Sequence, residues 1–189
     1  AADYVVTGCG TGEGAMLACN SFPGVLCGHV VDPSDGYMFA QINDGNCVAL
    51  PFAKDFGWGA ELKLEMIFQQ LFGFGHGNGY PKERVVPEQR NKKILDGVKK
   101  VTYRPLLDIL KDLDQDFVKE TISGKHFAEY FYRDSKDEAI KAYLKNRLPL
   151  AGSRDSASGR VWGNAPTVPR VTIPKEKSTK AQAAKRPCQ

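Results

Sequence analysis

The first 52 residues constrain the fold most, because they are dense in glycine and cysteine and contain no Lys or Arg. Four of the five cysteines lie in this stretch, at Cys9, Cys19, Cys27 and Cys47. Short apolar runs at residues 4–6, 25–31 and 47–50 are each closed by glycine or proline, which favours brief strands separated by turns. The glycine-rich residues 8–14 predict a turn rather than a helix. This stretch is therefore predicted to be irregular, with two or three short strands.

From residue 60 onward the apolar residues recur at helical spacing. Leu64, Ile67 and Leu71 define one apolar face, and Gly73 is expected to end that helix. Similar stripes continue to residue 148, among them Leu106, Leu110, Leu113 and Phe117 after Pro105. Four or five amphipathic helices joined by short loops predict a small helical bundle.

The last 39 residues are rich in Gly, Ser, Pro, Lys and Arg and hold too few apolar side chains to form a core. Charge is segregated along the chain, with net −5 over residues 1–53, +3 over 54–150 and +6 over 151–189. The sequence thus predicts a mainly α protein in three parts: an acidic Cys/Gly-rich segment at 1–53, a helical bundle at 54–150 and an extended basic tail at 151–189.

Several classes of protein are disfavoured by composition. No run of about 18 apolar residues is present, so no transmembrane segment is predicted, and the N-terminus lacks the features of a signal peptide. The tail lysines have no stacking aromatic residues beside them, which argues against a nucleic-acid partner. The cysteine spacings match no CxxC pattern and His29, His76 and His126 are scattered, so no metal site is predicted. Cys27 and His29 share a strand face but lack a third orienting group for thiol catalysis.

The cysteines leave three states open. Two disulfides among the four would suit a secreted protein. Buried free thiols are equally compatible with the sequence, because cysteine is among the residues most often found inside proteins. Covalent attachment of a cofactor is the third state.

Residues 8–12, Gly-Cys-Gly-Thr-Gly after an apolar run, resemble the first motif of S-adenosylmethionine-dependent methyltransferases. In that family the glycines allow the backbone to approach the cofactor and an acidic residue after the second strand binds its ribose. The resemblance implies that Asp32 fills this role and that residues 49–52 form a later element of the family. S-adenosylmethionine is the cofactor of this alternative.

The whole layout, with cysteines in an acidic head, a helical body and a basic tail, resembles linker or gamma-type subunits of red-algal phycobilisomes. That resemblance implies open-chain tetrapyrroles of the phycoerythrobilin or phycourobilin type on Cys9, Cys19, Cys27 and Cys47. Asp32 and Asp35 would then accept hydrogen bonds from pyrrole nitrogens. It also implies partners that are acidic phycobiliprotein hexamers, and a chloroplast location on the stromal face of the thylakoid membrane.

These two resemblances predict different functions. An enzyme must close its own active site, whereas an interaction protein leaves long segments to be ordered by partners. More than a third of the chain is predicted not to form a core. The sequence therefore favours a non-enzymatic linker of a light-harvesting antenna, with electrostatic complementarity from the basic tail.

Overall fold

The computed structural model describes residues 3–124 and 126–147. Three parallel strands of this part of the chain form one sheet in the order β1-β3-β2. Their bounds are β1 Val5–Cys9, β2 Cys27–His29 and β3 Cys47–Pro51. The helices are α1 Glu13–Asn20, α2 Pro33–Met38, α3 Ala60–Phe72, α4 Val85–Thr102, α5 Leu106–Asp112, α6 Gln115–Ile122, α7 Phe127–Asp134 and α8 Glu138–Lys145. A π-helical turn, Phe39–Asn43, follows α2, and a 3₁₀ turn, Lys82–Arg84, precedes α4.

Strand β3 is the centre of the sheet and is buried on both faces. Its residues Cys47 to Leu50 are at most 2% exposed, as expected of a parallel strand covered by helices on either side. In register, Val5 lies opposite Cys47 on one side, and Cys27 lies opposite Cys47 on the other. All three strands therefore begin at one edge of the sheet and end at the opposite edge.

The two faces of the sheet hold different cores. On one face, Val48 and Leu50 pack with Ile67 and Leu71 of α3. On the other face, α1 covers a smaller cluster formed by Cys27, Cys47 and Ala49, with Ala15, Met16 and Cys19 packed against it. Alternation of side chains along β3 produces this division. The larger core therefore contains residues from both the predicted segment 1–53 and the predicted segment 54–150.

Helices α5 to α8 form a separate cluster around Val118, Ile122, Ile140 and Leu144. The apolar stripe predicted from Leu106 through Phe117 is interrupted in the structure. Asp114 begins the new helix α6 by accepting a hydrogen bond from the Phe117 amide at 2.8 Å. None of the helices in the described residues is both long and apolar enough to cross a membrane.

The predicted fold class, mainly α with an irregular N-terminal segment, is wrong. Residues 5–51 form a parallel sheet with helices on its faces, which is an α/β arrangement. The error has a physical reason: parallel strands need crossover connections, and here the crossover helices α1 and α2 are only eight and six residues long, too short to leave a clear helical pattern in the sequence. The predicted extended tail, residues 151–189, lies outside the described residues.

Candidate functional site

The candidate site is built around the thiol of Cys9, where β1 meets the loop that leads to α1. Cys9 is the last residue of β1, so it lies at the carboxyl end of a parallel strand, where open α/β sheets bind ligands. The loop is fixed to the segment after β3 by three backbone hydrogen bonds. The Phe52 amide donates to the Cys9 carbonyl at 2.8 Å, and the Ala53 and Lys54 amides both donate to the Gly10 carbonyl at 3.0 Å.

The environment of Cys9 favours its thiolate form. Backbone hydrogen bonds from Ala15 and Thr11 lower the pKa of the thiol, and the Gly12 amide adds a third, with its nitrogen 3.2 Å from Sγ. The side chain is partly exposed and stands before the N-terminus of α1, whose free amides stabilise negative charge. A thiolate in such a setting acts as a nucleophile or a general base.

His29 acts on the same loop from the end of β2. Its Nε2 lies 2.8 Å from the carbonyl oxygen of Thr11. A carbonyl oxygen only accepts, so Nε2 carries the hydrogen. The Thr11 carbonyl and the Gly12 N–H belong to one peptide group, and that peptide therefore connects the imidazole of His29 to the thiol of Cys9.

Both the backbone conformation and the close packing at position 12 require a glycine. Its φ of 82° is in the left-handed region, and it is the residue before the first turn of α1. A Cβ atom at this position would stand 2.8 Å from the His29 ring and 3.0 Å from the carbonyl carbon of Leu50. The absence of a side chain thus lets β2, β3 and the loop meet.

The other three predicted cysteines lie together at the opposite edge of the sheet. Cys27 begins β2, Cys47 begins β3, and Cys19 lies in the last turn of α1. Their sulfur atoms are all within 4.8 Å of one another. Burial is the main cause that raises the pKa of both the Cys27 and the Cys47 thiols. All four cysteines of the described residues are free thiols, so of the states left open by the sequence the pair of disulfides among them is not formed.

The two predicted carboxylates cap a helix. Asp32 precedes α2 and accepts hydrogen bonds from the Ser34 hydroxyl at 2.6 Å and the Asp35 amide at 3.0 Å. Asp35 accepts in return from the Asp32 amide at 3.3 Å, and its carboxylate also accepts from the Val31 amide at 2.9 Å. These bonds make a reciprocal capping box, and the Ser34 hydroxyl is the main cause that lowers the pKa of Asp32.

The sequence indicated Cys9 as a candidate site residue but did not associate it with His29, which lies close to it in the structure. It paired His29 with Cys27, because the two alternate along one strand, whereas the structure turns the His29 ring toward the Cys9 loop. Cys9 and His29 are the last residues of the parallel strands β1 and β2. Their shared position at the carboxyl edge of the sheet is the signal that would have associated them. Cys19, Cys27 and Cys47 come together only through the fold, since their spacing in sequence matches no metal-binding motif.

Comparison with protein families gives two matches. The family model described as Ribose/Galactose Isomerase matches residues 1–70, which contain the whole sheet and the Cys9 loop. A second model, described as Ribose-5-phosphate isomerase, matches residues 101–146, which contain α5 to α8. Among curated proteins, no match was found.

Two solved structures are similar over most of the chain. One is a 4-deoxy-L-threo-5-hexosulose-uronate ketol-isomerase complexed with a tartrate, with 61% identity and a TM-score of 0.76, over 77% of this chain and 68% of that one. The other is a ribose-5-phosphate isomerase from Vibrio parahaemolyticus, with 44% identity and a TM-score of 0.74, over 77% of this chain and 69% of that one.

These relatives correct the functional predictions. The linker resemblance is wrong, and with it the light-harvesting function, the chloroplast and thylakoid location, the tetrapyrrole on cysteine and the absence of enzymatic activity. The alternative, an S-adenosylmethionine-dependent methyltransferase, has no support either. Glycines after a first strand occur in both families because each brings the backbone close to a ligand. The predicted contact of the tail with acidic protein subunits concerns residues outside the described part and stays a prediction.

The identity of 61%, spread over 68% of the relative's length, is decisive. This chain belongs to the Ribose/Galactose Isomerase family.

Proposed function

We propose that this protein is a ketol-isomerase that interconverts the aldose and ketose forms of an acidic open-chain sugar, with Cys9 as the general base. The observation that carries the proposal is the Cys9 thiol itself. It lies at the carboxyl end of β1, its pKa is lowered by backbone hydrogen bonds, and it is part of the segment matched by the family model.

The chemistry follows from these groups. In a ketol isomerisation the base removes the proton from the carbon next to the carbonyl, which leaves an enediolate. The same proton carrier returns a proton to the former carbonyl carbon, and a second proton moves from one oxygen to the other. No electrons are gained or lost overall. A thiolate held by the Gly12 amide is placed to take the carbon-bound proton and, as a thiol, to return it.

The charge of the loop favours a carboxylate substrate over a phosphate. Glu13 is exposed in the first turn of α1, and the chain has no Lys or Arg before Lys54. The Lys54 amide donates to the Gly10 carbonyl at 3.0 Å, so the backbone of the first basic residue of the chain lies next to the loop. One lysine neutralises a uronate, whereas a phosphate dianion would meet uncompensated repulsion from Glu13. The higher identity to the uronate isomerase than to the phosphate isomerase supports the same choice.

The test is an NMR assay of the purified full chain with two substrates, 4-deoxy-L-threo-5-hexosulose-uronate and ribose 5-phosphate. We expect conversion of the uronate to its ketol isomer with kcat/KM at least about tenfold above that for ribose 5-phosphate, a difference of about 1.4 kcal/mol in transition-state binding. The Cys9→Ala variant is expected to lose conversion of both substrates.

Cys188→Ser is the matched control, because it removes another thiol, from a position outside the described residues. It should retain wild-type rates. Faster turnover of ribose 5-phosphate would contradict the substrate assignment alone. Turnover of neither substrate, or full activity of Cys9→Ala, would contradict the isomerase proposal in this form.

A further inference from the structure

The cluster of Cys19, Cys27 and Cys47 has the composition and the size of a metal site. The three sulfur atoms lie within 4.8 Å of one another, and Cys27 and Cys47 are 5% and 2% exposed. A Zn–S bond is about 2.3 Å, which places the sulfurs of a tetrahedral site ~3.8 Å apart. Each sulfur would need to move by less than ~1 Å to bind one ion, which a χ1 adjustment of a cysteine side chain supplies.

The cluster is held by rigid elements. Cys27 and Cys47 are direct neighbours on adjacent parallel strands. The Asn20 side chain donates to the Cys27 carbonyl at 2.8 Å and accepts from the Cys27 amide at 3.0 Å, so the end of α1 is bound to the start of β2. These bonds fix Cys19, the residue before Asn20, over the two strands. Three ligands on two strands and a helix form a preorganised site.

The site is separate from the proposed active site. Cys9 closes β1 at the carboxyl edge of the sheet, whereas Cys27 and Cys47 open β2 and β3 at the other edge. In the register of the sheet, Cys9 lies opposite Pro51, four residues along β3 from Cys47, or ~13 Å. The three thiols therefore do not contact a substrate bound at Cys9.

Charge selects the kind of ion. Three thiolates and a monovalent ion leave a net charge of −2 in a largely buried place, and a divalent ion leaves −1. A compensating charge is supplied by Lys99, whose ammonium donates to the carbonyl of Val25, a residue packed against the cluster. One cation balances the divalent complex. Sulfur ligands prefer soft ions to Mg²⁺ or Ca²⁺, and a partly exposed Cys19 leaves a fourth position open to water.

We infer that Cys19, Cys27 and Cys47 form a three-thiolate binding site for a divalent thiophilic ion of the Zn²⁺ class. Binding replaces three S–H bonds with three metal–sulfur bonds and releases three protons to solvent, with no change of oxidation state. The ion bridges α1, β2 and β3 on the face of the sheet that α1 covers, and so stabilises the fold rather than taking part in isomerisation.

The test uses the reduced, metal-free full chain. Zn²⁺ is titrated in competition with a chromophoric chelator, and Cd²⁺ is titrated while thiolate-to-metal charge-transfer absorption is recorded. We expect one ion per chain, a rise in Tm with Zn²⁺ and no effect of Mg²⁺. Cys19→Ser and Cys47→Ala should each weaken Zn²⁺ binding by more than about tenfold. Mutating a residue that merely supports a metal ligand already costs at least about tenfold in affinity, so losing a ligand should cost more.

Cys9→Ser and Cys188→Ser are the controls and should bind Zn²⁺ as the wild type does. Cys19 is half-buried on a helix surface, so its Ser variant is expected to fold, which circular dichroism checks. If Cys47→Ala does not fold, the Zn²⁺ affinity of Cys19→Ser tests the inference alone. Three outcomes would each overturn the inference: no stoichiometric Zn²⁺ or Cd²⁺ binding, unchanged binding in Cys19→Ser, or loss of binding in Cys9→Ser.

Discussion

The peptide group between Thr11 and Gly12 is polarised from both sides. The His29 ring donates to the Thr11 carbonyl oxygen at 2.8 Å, and the Gly12 N–H of the same peptide donates to the sulfur of Cys9 at 3.2 Å. Hydrogen bonds in such a chain strengthen one another, because each polarises the next. In the proposed mechanism His29 is thus a positioning residue that acts on the Cys9 thiolate through one peptide, without contacting the reacting carbon.

The lowered pKa of Cys9 gives a pH dependence with a definite sign. The thiolate is the base, so kcat/KM should fall as the pH drops through the pKa of the thiol and should level off above it. Because hydrogen bonds lower this pKa, the inflection is expected below that of an unperturbed cysteine thiol. The measurement is a kcat/KM profile together with the pH dependence of iodoacetamide alkylation at Cys9, with N-acetylcysteine alkylated under the same conditions as the reference. An inflection at or above that of the reference thiol in both would show an unactivated thiol.

Replacing His29 by Leu should move that inflection upward. The substitution removes the donor to the Thr11 carbonyl, so the peptide is less polarised and Gly12 stabilises the thiolate less well. We expect kcat/KM at neutral pH to fall severalfold, with partial recovery in His29→Gln, whose amide N–H can donate to the same oxygen. His126→Leu, on the exposed face near Glu129, is the matched control. An unchanged pH profile in His29→Leu would remove His29 from the mechanism.

At the scale of elements, the start of α1 depends on a glycine in two separable ways. Gly12 and Gly24 both have positive φ, 82° and 76°, but a Cβ on Gly12 would meet His29 at 2.8 Å while a Cβ on Gly24 would meet nothing within 4 Å. Gly24→Ala should cost only the backbone strain of ~1–2 kcal/mol. Gly12→Ala should cost more and should also lower kcat, because the loop must shift. Equal urea midpoints for the two variants would contradict this account of the loop.

The sequence predicted the elements better than their arrangement. Short apolar runs gave the positions of all three strands, and helical spacing gave α3 with its end at Gly73, one residue after the observed Phe72. It missed α1, since glycine at positions 12 and 14 lowers helix propensity and only packing of Ala15, Met16 and Cys19 on the sheet makes this helix stable. Val5 pairs with Cys47 and Cys27 with Cys47, and pairing over such separations leaves no local signal, so the parallel sheet was not predicted.

The candidate site, like the fold, could be predicted from sequence only where its residues are close together in the chain. The glycine loop and Cys9 are contiguous in the chain and were identified together. His29, by contrast, reaches Thr11 across 18 residues through strand order. Asp32 and Asp35 were given a ligand-binding role, but a carboxylate near a helix start is satisfied locally when its neighbours supply N–H groups.

At the scale of the whole molecule, the core around β3 and α3 is the main source of stability for the site. Ile67 is fully buried there, so Ile67→Ala should lower the free energy of unfolding by about 2–5 kcal/mol. That is a large fraction of the 5–15 kcal/mol typical of a domain. Leu62→Ala on the same helix, where Leu62 is 56% exposed, should cost less than about 1 kcal/mol. Urea denaturation measures both, and equal costs would show that α3 does not pack on the sheet as described.

In the proposed reaction, an activated thiol at the carboxyl edge of a parallel sheet moves a proton between neighbouring carbons of an acidic sugar. This mechanism differs from a direct hydride shift, in which the hydrogen never leaves the substrate. Cys9 is partly exposed, so a proton held on its sulfur exchanges with solvent before it returns to carbon.

The most direct measurement is therefore isomerisation of 4-deoxy-L-threo-5-hexosulose-uronate in D₂O, followed by NMR of the product carbons. We expect the wild-type protein to introduce deuterium at the carbon that receives the proton, and Cys9→Ala to introduce none. Product formed by the wild type without any deuterium, or deuterium introduced at the wild-type rate by Cys9→Ala, would contradict the proposed mechanism.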